Sequence, residues 1–156
     1  MNIHLMTMTE AKEVANWKYP EEYSFYDLEE SPETIQELLD GSYYAVRDKD
    51  SQLVGFFCFG LNAQVPEGRK QKLYHGDGVL DIGLGMKPDL TGKGNGFLFV
   101  KAGIDFAKQQ FNPNHLRLSV AALNGRAINV YKKMGFNERA SFVSNGTVFI
   151  VMTTAE

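Results

Sequence analysis

Apolar and polar residues alternate along several stretches of this chain, and between them lie segments whose apolar positions recur at helical spacing. Ile3 to Met6 predicts a short first strand, and Thr9 a helix N-cap with the helix reaching about Trp17. Ser31 is suited to cap a second helix, with Pro32 and Glu33 in its first turn and Gly41 at its stop. Tyr43–Arg47 and Leu53–Phe59 predict strands joined by a hairpin turn over Asp48–Ser51. A polar segment from Asn62 to Gly78 is expected to loop out before a strand over Val79–Met86. The next helix places Phe97, Val100, Ile104, Ala107 and Phe111 on one face, with Lys101, Asp105 and Lys108 opposite. Leu116, Leu118 and Val120 alternate within a strand over His115–Ala121, Asn124 then caps a helix that stops at Gly135, and Thr147–Thr153 closes the sheet.

Strands and helices in this order predict an α/β (α+β) domain of three layers. A chain of 156 residues, 44% of them hydrophobic, is long enough to bury its own core, and it holds no linker, repeat or low-complexity tract. One domain over residues 1–156 is expected. No apolar run approaches the length of a membrane span, and the first residues lack a basic region followed by an apolar stretch and a cleavage site, so a cytoplasmic protein off the membrane is expected. The single cysteine, Cys58, lies in the apolar run Leu53–Phe59, which predicts a buried thiol with no nucleophilic role.

A formal charge of −3 argues against a nucleic-acid surface. The acids are nevertheless concentrated: Glu21, Glu22, Asp27, Glu29, Glu30, Glu33, Glu37 and Asp40 follow one another with no Lys or Arg between them. Most such runs are solvated surface.

The chemistry is concentrated at Leu80-Asp-Ile-Gly-Leu-Gly-Met-Lys-Pro-Asp-Leu-Thr-Gly-Lys-Gly-Asn-Gly96, an apolar strand that turns through glycines into a helix. Such a helix start offers unpaired N–H groups and the positive end of its dipole to phosphate oxygens. A Walker-type loop would need Ser or Thr after Lys93, where Gly94 and Asn95 stand. A dinucleotide fingerprint would need a glycine at Phe97 or at Pro88. What remains is Pro88-x-x-Thr91-Gly92-Lys93-Gly94-Asn95-Gly96, followed by Asn124-x-x-Ala127-x-x-x-Tyr131-Lys132-Lys133-Met134-Gly135-Phe136. Together these resemble the acetyl-CoA signature of the GNAT superfamily of N-acetyltransferases, over about Tyr43 to Phe136 and in the family's order and spacing. Thr91 departs from it, since the family usually carries Gln or Arg there.

The resemblance implies a GNAT-like three-layer domain with a central mixed, mostly antiparallel sheet of about seven strands flanked by about four helices. It implies acetyl-CoA as co-substrate, seated on Thr91, Gly92, Lys93, Gly94, Asn95 and Gly96, with the backbone of Leu84, Gly85 and Met86 meeting the pantetheine arm. Transfer to a primary amine needs an acid for the departing thiolate and a base for the ammonium. Tyr131 is the candidate acid, with core packing beside Ala127 and Met134 as its other reading. Asp81 is the candidate base, because alternation puts it on the face of Gly83 and Gly85 with space around its carboxylate; a structural hydrogen-bond partner is its other reading. Asn124 caps its helix and is placed to touch the cofactor arm. His4, His75 and His115 lack metal-ligand spacing, so no metal is expected. In the family the segment between the first two helices walls the acceptor side, so Trp17, Tyr19, Tyr23, Phe25 and Tyr26 with the acidic run point to a cationic amine acceptor; packing of the first two helices onto the sheet is the other reading of these aromatics. A homodimer is compatible with the resemblance, and the rival function is a non-catalytic acetyl-CoA-binding sensor or scaffold.

Overall fold

In the computed structural model, which describes residues 1–154, seven strands form one mixed sheet in the order β1-β2-β3-β4-β5-β7-β6. They are β1 (Asn2–Leu5), β2 (Tyr43–Arg47), β3 (Leu53–Phe59), β4 (Val79–Met86), β5 (His115–Ala121), β6 (Asn137–Ser144) and β7 (Thr147–Thr153). The α-helices among the described residues are α1 (Met8–Ala15), α2 (Pro32–Leu38), α3 (Pro66–Lys70), α4 (Gly96–Phe111) and α5 (Gly125–Lys133). The chain forms two compact units, one of Met1–Cys58 with Leu84–Lys93, the other of Phe59–Gly83 with the chain from Gly94 on.

In the first unit β1, β2 and β3 pair antiparallel, with Ile3 opposite Val46 and Tyr43 opposite Cys58. Helix α1 begins two residues earlier than its threonines suggest. Thr7 is the N-cap rather than Thr9, because Thr7 and Glu10 form a reciprocal capping box: the Thr7 hydroxyl accepts the Glu10 N–H and the Glu10 carboxylate accepts the Thr7 N–H. Glu10 is also buried against β1 and β2, accepting from His4 Nε2 at 2.9 Å and from Arg47 Nε at 2.8 Å. Burial pushes its carboxyl up, but the bonds from His4, the Thr7 N–H, Arg47 and the Thr7 hydroxyl outweigh that and hold it below the ordinary glutamate value. Ser31 caps α2 as expected, accepting from the Thr34 N–H. The core of this unit includes Val14, Leu38, Val46 and Phe57, and Cys58 is buried outside any disulfide.

In the second unit β4 and β5 run parallel, and their ladder covers Val79↔His115, Leu80↔Leu116 and Asp81↔Arg117. Strand β7 pairs antiparallel with β5 on one side and with β6 on the other. Strand β6 was not foreseen, because only Phe142 of its residues is buried. The stretch expected to loop out between Asn62 and Gly78 holds a 3-10 turn over Leu61–Ala63 and the short helix α3, started by Pro66. Helix α4 buries the middle of the predicted face, Val100, Ile104 and Ala107, but not its two ends. Phe99, Val100, Gly103, Ile104 and Ala107 are buried, whereas Phe97 and Phe111 are 42% and 43% exposed at its two ends. Gly103 lacks a side chain to contribute an apolar signal, so the periodic pattern could not register it. Phe111 still packs its ring on Phe59, with centroids 5.1 Å apart.

Candidate functional site

The glycine-rich turn is built for close approach to its backbone. Gly92 and Gly94 adopt φ of +71° and +79°, in the left-handed region that favours glycine, and a side chain at Gly94 would meet nothing within 4 Å. Asn95 stands at the N-cap of α4, yet its side chain does not cap the helix. A sixteen-residue helix therefore presents its positive end next to two glycines whose geometry exposes main chain. That arrangement fits a pyrophosphate, and Lys93 adds an exposed cation beside it. Thr91 closes the approach to this turn, its hydroxyl donating to the Pro88 carbonyl at 2.8 Å. That bond ties Thr91 to the start of the 3-10 turn over Pro88–Leu90.

Within the first unit, Gly85 lies beneath the Phe56 ring: a Cβ there would sit 2.5 Å from Phe56 Cε1. Phe56 in turn packs against Trp17 and Tyr43, with ring centroids 6.3 and 6.0 Å away. The Met86 carbonyl accepts a hydrogen bond from the Tyr19 hydroxyl at 2.8 Å, and the next N–H, of Lys87, donates to the Val54 carbonyl at 2.9 Å. Tyr19 was expected only as a ring lining the acceptor side. Its position against β4 depends on a contact between residues far apart in the chain, which no local pattern signals.

Within the second unit, Asp81 is not the open carboxylate its strand position suggested. Arg117 Nε donates to Oδ1 at 2.6 Å, while Arg117 Nη2 and Gln64 Nε2 each donate to Oδ2 at 2.8 Å. Arg117 also donates to the His75 carbonyl and lies over the Tyr74 ring. Expected space around the carboxylate is thus filled, because the parallel register sets Arg117 directly beside Asp81 and both are buried. Removing either partner of such a pair would leave the other buried and uncompensated. Arg117 escaped notice because a lone polar residue in an alternating strand reads as solvent-facing.

The β4–β5 ladder ends at this ion pair, and Ile82 and Gly83 run on beyond it. Asn124 caps α5, its side chain accepting from the Ala127 N–H at 3.4 Å. Tyr131 is buried on α5, edge-on to Phe136 with centroids 6.0 Å apart. The start of α4 and the body of α5 are neighbours, since a Cβ on Gly96 would lie 3.8 Å from a Val130 methyl. The last glycine of the turn therefore sits beside the residue that precedes Tyr131. Among the described residues no group of three or more His, Cys, Asp or Glu could hold a metal ion, and no helix is long and apolar enough to cross a membrane.

With this geometry in hand, comparisons place the chain among known proteins. The sequence model described as "Acetyltransferase (GNAT) family" matches residues 8–136. No curated protein matches. Among solved structures, a chimera of the spermidine N-acetyltransferase SpeG of Vibrio cholerae superposes with a TM-score of 0.71 at 18% identity, covering 98% of this chain and 94% of its own. A GNAT-family acetyltransferase of Bacillus anthracis gives 0.72 at 13% identity over 97% and 92%. The aminoglycoside-modifying AAC(6')-Ib, in complex with ribostamycin and coenzyme A, gives 0.73 at 17% identity over 97% and 90%.

Proposed function

Because the chain belongs to the acetyltransferase (GNAT) family, we propose that it transfers the acetyl group of acetyl-CoA directly to a primary amine of a small molecule or peptide, with residues 1–156 forming one domain of that family. The observation that carries this reading is the turn from Thr91 to Gly96, where two left-handed glycines lead into the start of α4. Acetyl-CoA, when bound, supplies the thioester and a thiolate leaving group. The chain supplies main-chain donors at Gly92 to Gly96 for the pyrophosphate and the backbone of Leu84, Gly85 and Met86 for the pantetheine arm. Asn124 orders the start of α5 and is proposed as a side-chain contact of that arm. As the amine nitrogen bonds the acetyl carbon, the carbon–sulfur bond breaks; Tyr131 gives its hydroxyl proton to the departing sulfur, and the proton lost from the amine nitrogen returns to the Tyr131 oxygen through solvent.

Of the two candidates for proton chemistry, Asp81 fits an anchoring role better than that of a base, given its pairing with Arg117 and Gln64. The acceptor is read as a cationic amine. Support comes from the clustered rings of Tyr19, Tyr23, Phe25 and Tyr26 and from exposed Glu21, Glu22, Glu29 and Glu30 around them in sequence. The solved structures bearing the names spermidine N-acetyltransferase and aminoglycoside acetyltransferase point the same way.

One observation favours a second reading, a non-catalytic acetyl-CoA-binding module: the Thr91 hydroxyl is turned inward to Pro88 instead of carrying a ligand-facing side chain. Free thiol released from acetyl-CoA, followed across a panel of amines that includes spermidine and ribostamycin, separates the two. Transfer predicts release that depends on the amine. A release rate indifferent to every amine would favour the binding module.

A further inference from the structure

We infer that Tyr19 is a positioning residue for acetyl transfer, coupling the acceptor segment over residues 18–27 to the end of strand β4 through its hydrogen bond to the Met86 carbonyl. The inference rests on the acetyltransferase reading above and deepens it by naming a device that joins acceptor side to cofactor side.

The peptide group between Met86 and Lys87 is held from both of its edges. Its carbonyl takes the Tyr19 hydroxyl at 2.8 Å, and its N–H gives to the Val54 carbonyl at 2.9 Å. Because a peptide group is planar, its carbonyl cannot swing without carrying the N–H along. Tyr19 therefore fixes the orientation of the last peptide of β4, immediately after Gly85. Tyr19 is itself fixed. Its backbone N–H donates to Asp27 Oδ1 at 2.8 Å, its ring stands edge-on to Tyr26 with centroids 6.2 Å apart, and neighbouring Lys18 donates to the Leu28 carbonyl at 3.2 Å.

The segment from Lys18 to Leu28 is thus closed on itself and tied to β4 by one phenol. Burial first, then the nearby Asp27 and Tyr26, push that phenol's ionisation up, so it remains a donor at any working pH. A second contact reinforces the link one residue earlier: Trp17 packs on Phe56, and Phe56 covers Gly85. An amine that orders the 18–27 segment would therefore steady the strand on which the thioester arm lies, and a cofactor on that strand would steady the segment in return.

Tyr19→Phe keeps the ring and removes the tether. Hydrogen–deuterium exchange, with coenzyme A as the probe, reads the coupling without needing an acceptor. In the parent, coenzyme A is expected to slow exchange over both 84–90 and 18–27. In Tyr19→Phe the protection of 84–90 should remain while 18–27 returns to its unliganded rate. Turnover with the parent's preferred amine should fall about tenfold at saturating acetyl-CoA, while coenzyme A affinity stays within about twofold, as loss of one neutral hydrogen bond permits. Equal protection of 18–27 in both proteins, or none in the parent, would overturn the coupling. So would a variant that loses fold, affinity and turnover together, since Tyr19 would then be a structural residue only. A parent that shows the coupling but acetylates no amine would overturn the acetyltransferase reading alone, and a parent that does not bind coenzyme A would overturn both.

Discussion

Tyr131 and Asp81 are both buried, ionisable and within the second unit, yet their surroundings give them different work. Tyr131 has an aromatic neighbour and follows Val130, which faces Gly96, whereas Asp81 has Arg117 and Gln64 on its oxygens. Replacing Tyr131 with Phe should leave coenzyme A affinity by calorimetry near that of the parent and lower turnover on the order of 10²-fold, the usual cost of a lost general acid. Asp81→Asn strands a buried guanidinium, so thermal unfolding should show a loss of about 3 kcal/mol. If it instead left stability intact and lowered turnover on the order of 10²-fold, Asp81 would be the base after all. Glu10 supplies a pH signature distant from catalysis. Its carboxyl is held below the ordinary value of 4.5, so its stabilising contribution is complete above that value and is lost as pH falls through its folded-state value. Glu10→Gln should therefore lower stability by about 2 kcal/mol near pH 7, with the gap from the parent closing in acid.

At the scale of elements, much of the fold was legible. Strands β2, β3, β4, β5 and β7 lie where alternation bounded by turn residues put them, and Ser31 and Asn124 cap the helices they were expected to cap. The chain hid what depends on contacts between distant segments. Strand β6 shows little apolar signal because most of it is exposed, and on α4 the predicted face holds at Val100, Ile104 and Ala107 but not at its ends, Phe97 and Phe111. Thr7 could have been found, since Thr7 with Glu10 three residues on carries the capping-box spacing. The glycine-rich turn was legible for a simple reason: it is contiguous. Asp81 with Arg117, and Tyr19 with Met86, are pairs made in space. The turn itself yields the prediction at this scale. Gly96 has room for a Cβ in the fold, 3.8 Å from Val130, so Gly96→Val should cost little stability while weakening acetyl-CoA binding about tenfold by blocking the approach of phosphate to the helix start. Unchanged affinity would move the seat elsewhere.

For the molecule as a whole, a formal charge of −3 understates how unevenly charge is spread. Of the acids between Glu21 and Asp40, Asp27, Glu37 and Asp40 serve local bonds to Tyr19, Tyr43 and Ser42, whereas Glu21, Glu22, Glu29 and Glu30 are exposed. Isolated surface charges contribute little, but several together attract a cation in a salt-sensitive way. Changing those four glutamates to Gln should raise the acceptor's Michaelis constant several-fold at low salt and leave that for acetyl-CoA unmoved. The effect should vanish near molar salt, where screening shortens to about 3 Å. The central claim is that this chain moves an acetyl group onto an amine. Its most direct test supplies acetyl-CoA labelled with carbon-13 in the acetyl group, together with the amine panel, and measures the recovered amines by mass spectrometry. Labelled acetyl on an amine nitrogen, one for each coenzyme A set free, is the predicted result; coenzyme A bound or released with every amine unlabelled would contradict it.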